Sequence, residues 1–187
     1  MAITAFDYST DRVATNVQEQ FLNMEAAQIR EALEGDRSHL VNVCMNLTSD
    51  FNKASVIRAS NAFLCRETII VGRRKIDRRG TVGMHHFELI KHADTLEEVI
   101  EYLHDEGYTV YAVDNTAELH PKSVYNAILP SKSAFVYGEE QQGLTLEQAS
   151  LCDGALYIPQ RGAARSLNVS QAAAVMMGEY TRQQCLA

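Results

Sequence analysis

The stretch IPQRGAARSLNVSQAAAVMMGEY, residues 158–180, runs from a polar loop directly into a segment rich in alanine and methionine. No charged residue lies between Val169 and Gly178. A helix on the surface of a globular protein normally carries polar and charged side chains along one face. The composition therefore predicts a helix that is buried around most of its circumference, and an ordinary alanine-rich core helix would account for the pattern.

The composition of the whole chain is typical of one globular domain. Of its 187 residues, 46% are hydrophobic and 22% are charged, which is sufficient for a core. The four cysteines form no C-x-x-C pair and have no zinc-like spacing with histidine, so we expect reduced thiols and no metal site. No apolar run approaches the ~18 residues that span a bilayer, and the N-terminus lacks a signal-peptide pattern. We therefore expect a cytoplasmic protein that does not enter membranes.

The charge of the chain is unevenly distributed. The net charge is -7, whereas GRRKIDRRG, residues 72–80, has a local charge of +4. The acidic remainder argues against binding of nucleic acid over the whole surface. Residues 72–80, called the basic segment below, are a local candidate for phosphate contacts, with a solvated loop as the alternative interpretation. Its cations are Arg73, Arg74, Lys75, Arg78 and Arg79.

Apolar runs alternate with amphipathic segments along the chain, which predicts an α/β fold with a mostly parallel sheet flanked by helices. The predicted strands are residues 39–47, 68–72, 108–113, 133–138 and 155–158. The predicted helices are residues 14–34, residues 52–63, and two that begin at the capping patterns Thr95–Glu98 and Thr145–Gln148.

Three polar loops follow predicted strands, where open α/β sheets usually build their binding sites. We name them the first motif (DFNKASVIRASNAF, residues 50–63), the second motif (YGEEQQGL, residues 137–144) and the third motif (IPQRGAARSLNVS, residues 158–170). None of them has the G-x-G-x-x-G or G-x-x-x-x-G-K-[ST] pattern, so the usual signals for dinucleotides and nucleoside triphosphates are missing.

In this order and spacing, the three motifs resemble those of the SPOUT superfamily of RNA methyltransferases, and specifically its TrmH branch of ribose 2'-O-methyltransferases. The first motif resembles N-x-G-A-x-x-R, with Asn52 and Arg58 in place and Ala54 where glycine is common. The second is similar to G-S-E-G-x-G-L and keeps Gly138, Glu140, Gly143 and Leu144. The third is similar to I-P-M-x-G-x-x-x-S-L-N-V-S almost throughout, and with the terminal EYTRQQ it resembles the eukaryotic branch that methylates the ribose of G18 in tRNA.

The resemblance implies a SPOUT fold with a C-terminal deep trefoil knot and a homodimer that pairs near the knot. A helix packed between the knot and a partner subunit would use small and flexible apolar residues all round, as residues 172–177 do. We expect a SPOUT methyltransferase domain over residues 38–187, preceded by an N-terminal helical extension over residues 1–37.

The resemblance also implies S-adenosylmethionine as the cofactor, bound within the knot. Backbone around Gly138, Ile158 and Leu167 would surround the adenosine, with Val113 as a further wall of the pocket. These residue types suit the role, because glycine allows close approach of the backbone and aliphatic side chains cover a purine face. Taken without the resemblance, such glycines are more often turn residues.

The family's catalytic residue corresponds to Arg58. A guanidinium loses its proton only above a pKa of roughly 12, so we interpret Arg58 as a cation that grips a phosphate and stabilises negative charge on oxygen, not as a base. A surface salt bridge is the alternative. Four further residues of the implied catalytic site are expected to hold the loops and Arg58 in place through hydrogen bonds. They are Asn52, Glu140, Ser166 and Asn168.

Two arginines of the third motif, Arg161 and Arg165, are candidates for RNA contacts together with the basic segment. The neighbouring His85 and His86 suggest a metal ligand or a base, but no carboxylate or cysteine pattern supports this, and we assign no metal.

The sequence therefore predicts S-adenosylmethionine-dependent 2'-O-methylation of a ribose in structured RNA, with tRNA and its G18 first and rRNA second. A noncatalytic RNA-binding module with the same fold is an alternative, which Gln141 and the acidic GEEQQ leave open. A small-molecule α/β enzyme is a third possibility, and it would be indifferent to RNA and salt.

Overall fold

The computed structural model describes residues 3–7 and 16–186, which contain an eight-stranded sheet with helices on both faces. The strands are β1 Thr4–Ala5, β2 Val41–Cys44, β3 Glu67–Val71, β4 Ile90–Ala93, β5 Thr109–Val113, β6 Lys122–Ser123, β7 Ser133–Tyr137 and β8 Gly154–Tyr157. Their order in the sheet is β1-β4-β3-β2-β7-β5-β8-β6. All neighbouring pairs are parallel except β1 with β4. The predicted mostly parallel α/β fold is confirmed.

Among the described residues, α-helices cover both faces of the sheet, and alternation along the strands divides the core between the two faces. In β2, Val41 and Val43 lie in the core beneath α3 and α4, whereas Cys44 lies in the core beneath α2 and α5. The helices are α1 Ala26–Glu34, α2 Asp50–Ala62, α3 Leu96–Asp105, α4 Leu146–Ser150 and α5 Val169–Gln184. None of the helices in the described part of the chain is both long and apolar enough to span a membrane.

The helix starts follow the capping chemistry of the sequence. Ser49 accepts a hydrogen bond from the backbone of Asn52 at 3.3 Å and begins α2. Thr95 and Thr145 begin α3 and α4 in the same way, as predicted. A side chain at the helix N-terminus satisfies one of the backbone N–H groups that the helix leaves unpaired.

The N-terminal region differs from the prediction of a helix over residues 14–34. The helix α1 begins only at Ala26, because Glu25 and Gln28 form a capping box there, and a single 3-10 turn, Glu19–Phe21, precedes it. Residues 14 and 15 lie outside the described residues. The short β1 adds an antiparallel edge strand that the sequence did not reveal.

The alanine- and methionine-rich helix α5 buries Ala173, Met176, Met177 and Tyr180 against the sheet and α2. Its last turns are tied to the segment before β7. The Tyr180 hydroxyl donates to the Ser131 carbonyl at 2.6 Å, and the side chains of Gln183 and Gln184 bond to backbone of residues 127 and 129. The helix is therefore an integral part of the core.

Arg37 and Glu88 form a buried ion pair at one edge of this core. Their side chains are 3% and 0% exposed, and Arg37 Nη1 lies 3.3 Å from Glu88 Oε1. The amide of Asn61 donates to the same oxygen at 2.9 Å, while Glu88 Oε2 has no hydrogen-bond partner among the described residues. Burial raises the pKa of Glu88 to about 7, although Arg37 and Asn61 act in the opposite direction.

This raised pKa predicts a pH-dependent stability. The folded state holds the Glu88 proton more tightly than the unfolded chain, so the contribution to stability is complete below pH ~4.5 and is lost as the pH rises through about 7. Relative to Glu88→Gln, the free energy of unfolding of the wild type should fall by roughly 1–3 kcal/mol between pH ~5 and ~8. Urea denaturation at stepped pH measures this, with the exposed Glu97→Gln as control. A difference that does not change with pH would contradict the account.

Candidate active site

The carboxyl ends of the parallel strands β5, β7 and β8 meet at one edge of the sheet, where they border a cavity of about 490 Å³. All four residues predicted for the cofactor line it: Val113, Gly138, Ile158 and Leu167. A cavity of this size suits a nucleoside-sized ligand. We call it the main cavity.

The second motif folds tightly back on itself at the wall of the main cavity. Glu139 and Gly143 exchange two backbone hydrogen bonds of 2.9 and 3.2 Å. A Cβ at position 138 would lie 2.2 Å from the carbonyl carbon of Gly143, so only glycine fits there, and Gly143 has a φ of +70°. The chain can pass close to a ligand here because no side chain intervenes.

A continuous set of hydrogen bonds joins the three motifs. The Glu140 carboxylate accepts from the backbone N–H groups of Thr48 at 3.0 Å and Ser49 at 3.2 Å, and from the Asn52 amide at 2.8 Å. Asn52 Oδ1 in turn accepts from the Asn168 amide at 3.2 Å. The second motif is thereby connected to the first, and the first to the third. We call this set the motif network.

The two ends of the motif network both lie at helix N-termini. The Glu140 carboxylate lies at the start of α2, and Asn168 is the N-cap of α5, accepting from the backbone of Ser170 at 2.9 Å. Burial opposes ionisation of Glu140, but the bonds from Asn52, Thr48 and Ser49 prevail and lower its pKa. The carboxylate therefore stays charged, which suits the positive end of a helix.

Ser166 is the one predicted supporting residue outside the motif network. It lines the main cavity but forms no hydrogen bond to the rest of the described chain. Glu140, Ser166 and Asn168 are exposed, and Asn52 is half-buried. Their polar groups remain accessible to a ligand.

Arg58 projects from α2 and is exposed. Within residues 3–7 and 16–186 its side chain forms no hydrogen bond or ion pair, so the alternative of a surface salt bridge is not observed. It does not line the main cavity. The structure leaves its guanidinium free to meet an anion from outside the chain.

The basic segment is partly neutralised within the chain. Arg73 bonds to Asp50 at 3.1 Å, Arg79 pairs with Asp77 at 2.6 Å, and the guanidinium of Arg74 lies 4.7 Å from the ring centre of Phe6. The other predicted RNA-contacting residues of the segment are Lys75, whose side chain is 70% exposed, and Arg78, which is also exposed. The segment is a basic surface, but weaker than its local charge of +4 suggested.

The two arginines of the third motif lie differently. Arg165 lines the main cavity, and its carbonyl accepts from the Asn115 amide at 3.1 Å, whereas Arg161 is exposed and away from the lining. His85 and His86 are buried, with ring centres 4.2 Å apart and ring planes inclined by 33°. His85 bonds to the Thr81 hydroxyl at 2.6 Å, which gives it a packing role.

The sequence reasoning missed the loop after β5. Asp114 accepts hydrogen bonds from the backbone N–H of Leu144 at 3.3 Å and of Thr116 at 2.9 Å. It therefore connects the loop after β5 to the end of the second motif. Asp114, Asn115 and Thr116 all line the main cavity. Their position could have indicated this from the sequence, because they directly follow a predicted strand and open parallel sheets place ligand contacts there.

A family model described as the SpoU rRNA Methylase family matches residues 39–178, which include all three motifs and the main cavity. The chain belongs to the SpoU rRNA Methylase family. The predicted resemblance to SPOUT enzymes of the TrmH type and the predicted methyltransferase class are confirmed.

Individual relatives agree with this assignment. The chain is 29% identical over 160 residues to tRNA (guanosine(18)-2'-O)-methyltransferase of Thermus thermophilus, covering 84% of this chain and 81% of that one. It is 41% identical over 81 residues to tRNA (guanosine(18)-2'-O)-methyltransferase TARBP1 of Mus musculus, which is 43% of this chain but 5% of that protein.

Among solved structures, the AdoMet-bound rRNA methyltransferase of Sinorhizobium meliloti superimposes with a TM-score of 0.69. It is 25% identical and the match covers 76% of this chain and 56% of that one. The α/β fold of this family is thereby confirmed, whereas the trefoil knot stays a prediction; a relative with this fold binds the cofactor that the sequence predicted.

The motif network predicts the behaviour of Glu140→Gln. Glutamine retains one acceptor oxygen but directs an amide donor at a backbone N–H, so Thr48 or Ser49 loses its partner. We expect at least roughly fivefold faster hydrogen exchange at these two amides and a loss of ~1 kcal/mol in the free energy of unfolding.

The matched control is Glu139→Gln, which removes the adjacent carboxylate and leaves the motif network intact. Equal exchange rates in the two variants would show that Glu140 does not hold the first motif.

Proposed function

We propose that this chain transfers a methyl group from S-adenosylmethionine to the 2'-hydroxyl of a ribose in a structured RNA, with tRNA as the first substrate. The observation that carries the proposal is the motif network, which joins the three motifs of a methylase-family chain beside the main cavity. Guanosine 18 of tRNA is the first target, because two relatives that match the chain are named for that activity.

The main cavity offers the contacts that the cofactor needs. Val113, Ile158 and Leu167 present aliphatic surface to a purine, and the backbone beside Gly138 is accessible at its wall. When bound, S-adenosylmethionine supplies a methyl group activated by a positively charged sulfur. The chain's contribution is to hold this group in one orientation and to present the ribose hydroxyl to it.

Arg58 supplies a permanent positive charge for the substrate. Its guanidinium has no partner in the described chain, so it is available to bind a phosphate that neighbours the target ribose. The same charge stabilises the oxygen as its proton passes to the neighbouring phosphate or to water. Since α2 also carries Asn52, the motif network orients the helix that bears Arg58.

The substrate surface extends from the main cavity to the basic segment. Arg165 lines the cavity, Arg161 lies in the same exposed loop, and Lys75 and Arg78 project from the basic segment. Phosphate contacts of this kind give affinity without sequence specificity. The target nucleotide is therefore selected by the shape of the RNA.

The assembly is also part of the proposal. We infer a homodimer, in which the third motif and α5 form a trefoil knot and a partner packs against α5 near the knot. We also propose that residues 1–37 form an extension, that residues 38–187 form the catalytic domain, and that the protein is cytoplasmic.

An rRNA substrate is the second candidate. The structural relative from Sinorhizobium meliloti is named an rRNA methyltransferase, and the family description names rRNA. Both substrates require the same chemistry at the main cavity, so the experiment below separates them.

Incubation of the protein with methyl-labelled cofactor and either total tRNA or rRNA, followed by nucleoside mapping, tests the activity. We expect 2'-O-methylguanosine at position 18 of tRNA. Arg58→Ala should reduce the label by at least roughly 100-fold while cofactor affinity changes less than about twofold, because Arg58 lies outside the cavity lining.

Arg30→Ala, which removes an exposed arginine of α1, is the matched control and should retain full activity. Equal loss of methylation and cofactor binding in Arg58→Ala would assign Arg58 to the cofactor site. Absence of label in both RNA pools would refute the proposed function.

A further inference from the structure

A lysine within the first motif is completely buried. Lys53 lies in the first turn of α2 and its side chain is 0% exposed. Its Nζ lies 3.1 Å from Asp50 Oδ1 as an ion pair and donates to the carbonyl of Arg73 at 3.1 Å. The ammonium group thus connects the motif helix to the basic segment.

Asp50 continues this connection. Its second carboxylate oxygen lies 3.1 Å from Arg73 Nη2 and 3.7 Å from Lys75 Nζ, and its carbonyl accepts from the backbone of Asp77 at 3.1 Å. The backbone N–H of Arg73 donates to Asn46 at 3.1 Å. The basic segment is therefore attached to the start of α2 at several points along its length.

Packing holds the far end of the basic segment against the same helix. A Cβ at Gly80 would lie 2.8 Å from the Cβ of Ala54 and 3.2 Å from the Phe51 ring. Only a glycine allows this close approach. Ala54 stands where the first motif commonly has glycine. Its methyl group fits because the facing residue, Gly80, has no side chain.

A buried ammonium group is expensive unless it is paired, and an apolar side chain of similar volume would pack at this place without that cost. Buried ion pairs are retained in some proteins because they specify one arrangement of the chain. In this chain, the Lys53–Asp50 ion pair would specify the positions of Arg73 and Lys75. Their side chains remain 52% and 70% exposed and can still reach a phosphate.

We propose that Lys53 is a positioning residue for RNA binding, which fixes the basic segment in register with the first motif. This inference rests on the proposed function. Asn52, its neighbour in the chain, belongs to the motif network, so phosphates bound by the basic segment stand at a defined place relative to the main cavity. Lys53 touches neither the RNA nor the cofactor.

The test is Lys53→Met, which removes the ammonium group and keeps a straight apolar chain, while Asp50 keeps Arg73 and Lys75 as partners. We expect the Kd for tRNA, by filter binding, and the KM for tRNA to rise about five- to twentyfold. The Kd for S-adenosylmethionine and kcat at saturating tRNA should change less than about twofold. A merely structural role would lower the melting temperature and the active fraction and leave the KM for tRNA unchanged, which would overturn the proposal.

A second background makes the test independent of folding. In an Arg73→Gln, Lys75→Gln double variant, the segment has lost the two exposed charges that Lys53 is proposed to position, so adding Lys53→Met should weaken tRNA binding much less than it does in the wild type. An equal effect in both backgrounds would overturn the proposal.

Lys91→Met is the matched control, because Lys91 is a mostly buried lysine paired with Glu67 at 2.8 Å on β3 and β4. It should lower the melting temperature without changing the Kd for tRNA. If the wild type binds tRNA but never methylates it, the proposed function is refuted. The Kd for tRNA of Lys53→Met, compared with that of the wild type, still tests the role of Lys53 in that case.

Discussion

The relative position of the three motifs depends on one carboxylate placed at the start of one helix. Glu140 accepts three hydrogen bonds from the N-terminal region of α2, and Asn52 passes the connection on to the cap of α5. Three segments far apart in the sequence thereby acquire one relative position. Without this contact the sheet would still form, since its core is apolar on both faces. The three motifs at its carboxyl edge would, however, lose the hydrogen bonds that fix their positions relative to one another.

The motif network and the sheet have different roles. The sheet places the ends of β5, β7 and β8 at one edge and so creates the main cavity. The motif network then sets Arg58 and the basic segment relative to that cavity through α2, since Asn52, Lys53 and Arg58 share this helix. In the proposed function, cofactor binding and RNA binding thus belong to different groups of residues, which the sheet and α2 hold relative to one another.

Much of the fold could be predicted, because apolar runs and caps are local signals. The strand β4 was missed because Lys91 and His92 interrupt its apolar run, and their partners, Glu67 and the carbonyl of Gly72, come from distant segments. Asn52, Glu140 and Asn168 of the motif network were predicted, whereas Ser166 was expected in it and lies outside it. The pairing was not predicted, because Asn52 and Asn168 are 116 residues apart. The positive charge that the basic segment leaves unpaired was overestimated. Asp50 lies outside the segment in the sequence, but it pairs with Arg73 and Lys75 in the folded chain.

The central claim is that the joined motifs form a site for S-adenosylmethionine. A calorimetric titration of the wild type with the cofactor, combined with hydrogen exchange of the complex, tests this most directly. We expect saturable binding with one cofactor per chain, and slower exchange confined to the amides around Gly138, Asp114 and the third motif. Absence of saturation, or protection that appears elsewhere in the chain, would contradict it.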